Sequence, residues 1–142
     1  MVKRVISAVL LLGVMLLPCA GGVQAEEHFK PFVLASRGGG GFDTRVEETR
    51  SALSGAGFEI VGEYTPYAGT FVDDTRVIIV TNDELRAAAE KSERGGFAAP
   101  WRVAVTKVAD EVQVSYVNPK YIAHGYRLDS DLNGVAERLE RA

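Results

Sequence analysis

The sequence predicts an α+β domain: a two-layer sandwich with a mainly antiparallel sheet and helices on one face. Three observations carry that expectation. Five short runs, residues 29–36, 58–64, 76–81, 101–108 and 112–117, are apolar or alternate apolar with polar residues, as strands do. Helical patterns lie between the first two runs, between the third and fourth, and after the fifth. The last two runs are separated only by Ala109-Asp110-Glu111, which makes them a hairpin and therefore antiparallel. The expected order is β-α-β-β-α-β-β-α.

In chain order, residues 29–36 place Phe32, Val33 and Leu34 in a first strand, and Gly38 to Gly41 break it. Residues 44–56 form an amphipathic helix. Thr44 and Glu47 have the spacing of a capping box, Val46, Leu53 and Ala56 share a side, and Gly57 suits a left-handed stop. In the strand over residues 58–64, Phe58, Ile60 and Gly62 alternate with Glu59, Val61 and Glu63. Pro66, Gly69 and the pair Asp73-Asp74 mark residues 65–74 as a loop.

Val77, Ile78, Ile79 and Val80 are the most continuous apolar run after the leader, as expected of a central strand buried on both faces. Thr81 and Glu84 repeat the capping-box spacing before a helix over residues 85–94, which Gly95-Gly96 end. After the hairpin, Asn118-Pro119 turn the chain into a short aromatic-rich stretch. The last helix begins at Ser130 or Asp131, with Leu132, Val135, Ala136 and Leu139 on its apolar side. No internal repeat is visible.

The first 25 residues read as a secretory signal. Lys3 and Arg4 precede an apolar stretch from Val5 to Leu17, Pro18 breaks it, and Val23-Gln24-Ala25 fits a small-x-small cleavage site. The apolar stretch is shorter than the ~20 residues of a comfortable membrane span. An uncleaved anchor is the plain alternative. A lipoprotein at Cys19 is another, but Pro18 stands where lipoprotein processing wants a small residue. The expectation is a periplasmic or secreted protein cleaved near Ala25, a single domain over residues 26–142, and no membrane span after processing.

Processing removes the only cysteine, so the mature domain has no disulfide, thiol nucleophile or thiolate metal site. It also removes Lys3 and Arg4, leaving 14 basic residues against 19 acidic and a net charge of −5. An acidic domain without a basic stripe is no candidate for binding nucleic acid or anionic lipid.

Candidate chemistry is sparse. Gly38 to Gly41 sit between a strand and a helix, where glycine loops can cradle phosphate, but the lysine of a phosphate loop and the dinucleotide spacing are missing. A flexible connector is the expectation there. Asp73-Asp74 and Asp129-Ser130-Asp131 do not match a calcium loop. Residues 118–127, NPKYIAHGYR, concentrate Tyr121, His124, Tyr126 and Arg127. On a short helix Tyr121 and His124 share a face, and an imidazole beside phenols and a guanidinium can bind an anionic or aromatic ligand, or move a proton. The same residues can instead form a packed aromatic junction. No carboxylate stands near His124 in sequence to orient it as part of a triad.

The mature amino terminus offers a second candidate. Cleavage after Ala25 gives Glu26-Glu27-His28, with histidine third. A free amine, two backbone amides and the imidazole then supply four nitrogens in a square plane, the geometry that Cu(II) and Ni(II) prefer.

Three segments carry a family resemblance. They are TRVEETRSALSGAGFEIVGE (residues 44–63), RVIIVTNDELRAAAEKSE (76–93) and RVAVTKVADEVQVSYVNPKYIAHGYRL (102–128). From Lys30 to Arg141 the chain resembles the family of domain of unknown function 302. The resemblance implies a compact α+β fold, often dimeric, with no established catalytic activity. Many relatives carry cysteine at the strand-helix junction and before the hairpin. Thr81-Asn82-Asp83 and Ala99-Pro100-Trp101 stand there instead, so no thiol role carries over.

Together these observations point to an exported, non-catalytic module that binds a small ligand or a protein, with no resident cofactor apart from Cu(II) or Ni(II) at the amino terminus. The alternative is a small enzyme using His124 with Tyr121 or Tyr126 as acid and base.

Overall fold

The computed structural model describes residues 29–66 and 70–142. The expected signal sequence, the triplet Glu26-Glu27-His28 and Gly69 lie outside the described residues. Five strands form one sheet: β1 (Phe32–Gly38), β2 (Glu59–Tyr64), β3 (Asp74–Thr81), β4 (Trp101–Val108) and β5 (Glu111–Val117). Their spatial order is β1-β5-β4-β3-β2, and every pairing is antiparallel. Four helices accompany them: α1 (Phe42–Gly55), α2 (Asp83–Lys91), α3 (Pro119–Gly125) and α4 (Asn133–Arg141), with one 3-10 turn at Gly95–Phe97. The expected α+β class and antiparallel sheet are what the chain forms. The short aromatic stretch adds a helix, α3, to the expected order.

Strand alternation builds the core. Trp101, Val103 and Val105 of β4 pair in register with Val80, Ile78 and Arg76 of β3, and Val103 and Val105 with Tyr116 and Val114 of β5. All of these but Arg76 meet Val46 and Leu53 of α1, Leu85 of α2 and Val135 and Leu139 of α4 in one buried cluster. Each such aliphatic side chain contributes roughly 1.5–3 kcal/mol on burial. Trp101 is buried with its polar atom satisfied, since Nε1 donates to the Val117 carbonyl at 2.8 Å. The middle strand is β4, not the run Val77–Val80, which lies one strand nearer the edge. Thr75 and Val77 are nonetheless buried on one face of that strand and Ile78 and Val80 on the other.

The helix ends depart from expectation at their starts and agree at one stop. α1 begins at Phe42 behind Gly41, whose backbone is extended and which has no side chain to cap with, so the Thr44–Glu47 capping box does not form. α2 is capped by Asn82, one residue beyond Thr81; its side-chain oxygen accepts from Leu85 N–H at 2.9 Å. The stop of α1 is as expected. Gly57 takes φ +84°, its N–H reaches the Ser54 carbonyl, and Phe58 N–H reaches that of Leu53. α4 starts at Asn133, two or three residues later than expected, behind Leu132 at φ +54°.

β2 holds the largest departure. A bulge between Ile60 and Gly62 adds a residue opposite β3, so the inward phase passes from Ile60 to Glu63. Glu63 pairs across from Ile78 and faces the helices, where strict alternation would have turned it outward.

Candidate functional site

α1 packs on β2, β3, β4 and β5, leaving the edge strand β1 largely uncovered. The result is a cleft of about 450 Å³ between α1, β1 and the end of α4, within the roughly 300–1,000 Å³ usual for ligand sites. One stripe of α1 forms a wall: Arg45, Glu48, Thr49 and Ala52 follow one another at helical spacing. Val33 and Ser36 of β1 form the other wall, Tyr116 and Val114 the floor, and Leu139 and Glu140 the end.

The polar groups of this cleft are in different states. Thr49 Oγ1 donates to the Arg45 carbonyl at 2.7 Å and is satisfied within its own helix. Arg45 Nε lies 3.4 Å from Glu48 Oε2. Tyr116 is only 4% exposed, yet its hydroxyl makes no hydrogen bond among the described residues. The single sealed side-chain polar atom without a partner there is Arg76 Nε, so the Tyr116 hydroxyl opens to the cleft rather than into protein. Burial, and secondarily the nearby Glu140 charge, raise its pKa above the phenolic 10.0, so it stays a neutral donor at physiological pH.

The sequence placed the candidate site elsewhere, on α3. There Asn118 caps the helix, its Oδ1 accepting from Lys120 N–H and its Nδ2 donating to the Lys30 carbonyl. His124 and Arg127 come together in an open hollow with Lys120, Asp129 and Asp131. His124 is exposed and makes no hydrogen bond among the described residues; its ring lies 6.0 Å from that of Phe29. Tyr121 and Tyr126 do not line this hollow. Tyr121 is 43% exposed, and Tyr126 stacks on Phe97 at 4.5 Å with the rings 9° from parallel. Arg127 occupies the left-handed position after α3, at φ +52°, and Leu128 N–H closes the helix on the Ala123 carbonyl. Among the described residues no three acidic, histidine or cysteine side chains are grouped to hold a metal, and no helix is long and apolar enough to cross a membrane.

A third polar cluster lies between α1 and β2. Arg50 Nε donates to Glu63 Oε1 at 2.6 Å and its Nη2 to Glu63 Oε2, while Arg76 Nη1 approaches the same carboxylate at 3.5 Å. The Arg50 hydrogen bonds hold Glu63 below the ordinary carboxylate 4.5 despite partial burial, and Glu63 in turn raises Arg50. This is an internal clamp that ties a helix to an edge strand.

Neither the cleft nor the clamp was found by sequence reasoning. Tyr116 reads only as one more inward position of β5. Glu63 gives a signal solely through the bulge that turns it inward.

A family model described as "Domain of unknown function DUF302" matches residues 33–142. Among solved structures, the chain is similar to an uncharacterized conserved DUF302 protein from Bacillus stearothermophilus, with a TM-score of 0.66 at 13% identity. The match covers 77% of this chain and 92% of that one. No curated protein matches.

Proposed function

The chain belongs to the DUF302 family, and on that premise we propose that it is an exported, non-catalytic module that binds a small molecule in the cleft between α1 and β1. One observation carries this: Tyr116, a largely buried phenol on the cleft floor, has a hydroxyl with no hydrogen-bond partner among the described residues. That hydroxyl is not sealed in protein but opens to the cleft, so it stands as a donor for a group arriving from outside. Apolar walls around a few polar groups are the usual build of a ligand site. Export follows from the signal-like residues 1–25, and the processed end Glu26-Glu27-His28 supplies the nitrogens for Cu(II) or Ni(II).

Pairing of two copies belongs to the same proposal. On the sheet face away from the helices, Phe32, Leu34 and Tyr64 are 63%, 51% and 45% exposed, an apolar surface suited to self-association. Sedimentation of the wild type beside Leu34→Lys tests that part.

A fragment screen read by amide NMR tests the cleft. Shifts should gather on residues 45–52 of α1 and on β1, and Ala52→Trp should remove them. Shifts gathering instead around His124 and Arg127 would favour the second reading, acid-base chemistry by His124. Its support is that imidazole and guanidinium share one open hollow.

A further inference from the structure

The charges around the cleft do not balance. Arg45 is matched by Glu48 at 3.4 Å, and the two arginines of α4 are turned to other partners, Arg138 to Glu84 and Arg141 to Glu137. Glu140 has no cation within ion-pair distance among the described residues, and it lines the cleft at its α4 end. Tyr116 lines the floor of the same cleft, and the Glu140 charge adds to the rise in its pKa. A carboxylate acceptor and a neutral phenol stand together above apolar walls of Val33, Ala52 and Leu53.

We infer that the cleft takes a small organic cation, an amine on an apolar body about the size of one aromatic ring, with its ammonium on Glu140 and the Tyr116 hydroxyl beside it. This rests on the cleft being the ligand site. An anion would meet Glu140 unpaired and would have to draw Arg45 from Glu48. A neutral apolar molecule would leave the carboxylate unanswered. An ammonium answers it, and a charge-assisted hydrogen bond is among the stronger polar contacts.

The test uses three molecules of nearly equal shape at neutral pH: phenethylamine, 2-phenylethanol and phenylacetate. Each is titrated into the exported protein and followed by amide NMR. Phenethylamine should bind at least about tenfold more tightly than the alcohol, a gap that rises as salt is lowered, and phenylacetate more weakly than either. Glu140→Gln should erase the preference for the amine while leaving thermal unfolding unchanged, since this side chain is exposed and has no ion-pair partner among the described residues. Tyr116→Phe should weaken the amine severalfold with the fold intact. Equal binding of the alcohol or the anion at the cleft, or a preference that survives Glu140→Gln, would overturn the cation and leave the cleft standing. Shifts absent from α1 and β1 for all three would overturn both.

Discussion

Arg50 and Glu63 are joined by two hydrogen bonds across the gap between α1 and β2, one guanidinium gripping one carboxylate. The two residues are 13 apart in sequence and belong to different layers, so the pair fixes how the helix sits on the sheet edge. Arg76, on the neighbouring strand, comes to the same carboxylate.

Replacing that carboxylate, by Glu63→Gln, leaves two guanidinium groups side by side without the charge that holds them. We expect a loss of about 1.5–3 kcal/mol, read as a lower denaturant midpoint. The pH dependence has a definite sign. Glu63 titrates lower in the folded protein than its ordinary 4.5. Its contribution is therefore complete above that value and fades as the pH falls through the lowered one. Glu63→Gln should flatten the acid limb of the stability curve. An unchanged acid limb would show that other carboxylates govern it.

Two glycines should respond differently to the same added methyl group. A Cβ on Gly95 would lie 2.0 Å from the Ala89 carbonyl oxygen, in backbone that cannot yield, whereas one on Gly134 would meet the Glu84 carboxylate at 2.4 Å, at the end of a flexible side chain. Gly95→Ala should cost roughly 3 kcal/mol or fail to fold, and Gly134→Ala about 1 kcal/mol or less. Thermal unfolding of both variants measures the contrast, and equal effects would contradict it.

How far the sequence carried these features depends on what decides each. The hairpin of β4 and β5 was legible because three residues between two alternating runs leave little choice. The stop of α1 was legible because Gly57 is the residue for a left-handed turn. The start of α1 was not, because Gly41 caps through its backbone alone and Thr44 is already inside the helix. Glu63 was misplaced because a bulge shifts the phase of a strand without marking its composition. The cleft was invisible for a different reason. It exists because α1 lies toward β2 and away from β1, a lateral choice made by packing among distant residues.

Export and metal binding can be followed in one preparation. Cleavage after Ala25 should give material beginning at Glu26, seen by intact mass and amino-terminal sequencing. That end should bind Cu(II) in a square-planar nitrogen field, visible in electron paramagnetic resonance, and His28→Ala should abolish it. A lipidated amino terminus at Cys19 would overturn both expectations.

Arg127 pays a conformational cost where it stands. At φ +52°, after α3, it holds a backbone shape that glycine adopts freely and that costs other residues roughly 1 kcal/mol. Arg127→Gly should therefore raise the unfolding midpoint, even though it removes a side chain from the hollow beside His124. A lower midpoint would mean that the guanidinium contributes more to the folded state than the backbone loses.

His124 and Tyr126 are two residues apart on α3 and its cap, yet they should answer truncation differently. The imidazole is exposed, makes no hydrogen bond among the described residues, and lies 6.0 Å from the tilted ring of Phe29. The phenol ring of Tyr126 is half-buried and stacked on Phe97 at 4.5 Å, tying the end of α3 to the 3-10 turn before β4. Stacked pairs contribute about 0.5–1.5 kcal/mol beyond the area they bury. Tyr126→Ala should thus lower stability by about 1–3 kcal/mol, and His124→Ala by less than about 1 kcal/mol. Thermal unfolding of the two variants separates the residue that holds the junction from the residue that is free to act. A large loss at His124 would make it part of the structure and leave the acid-base reading without its base.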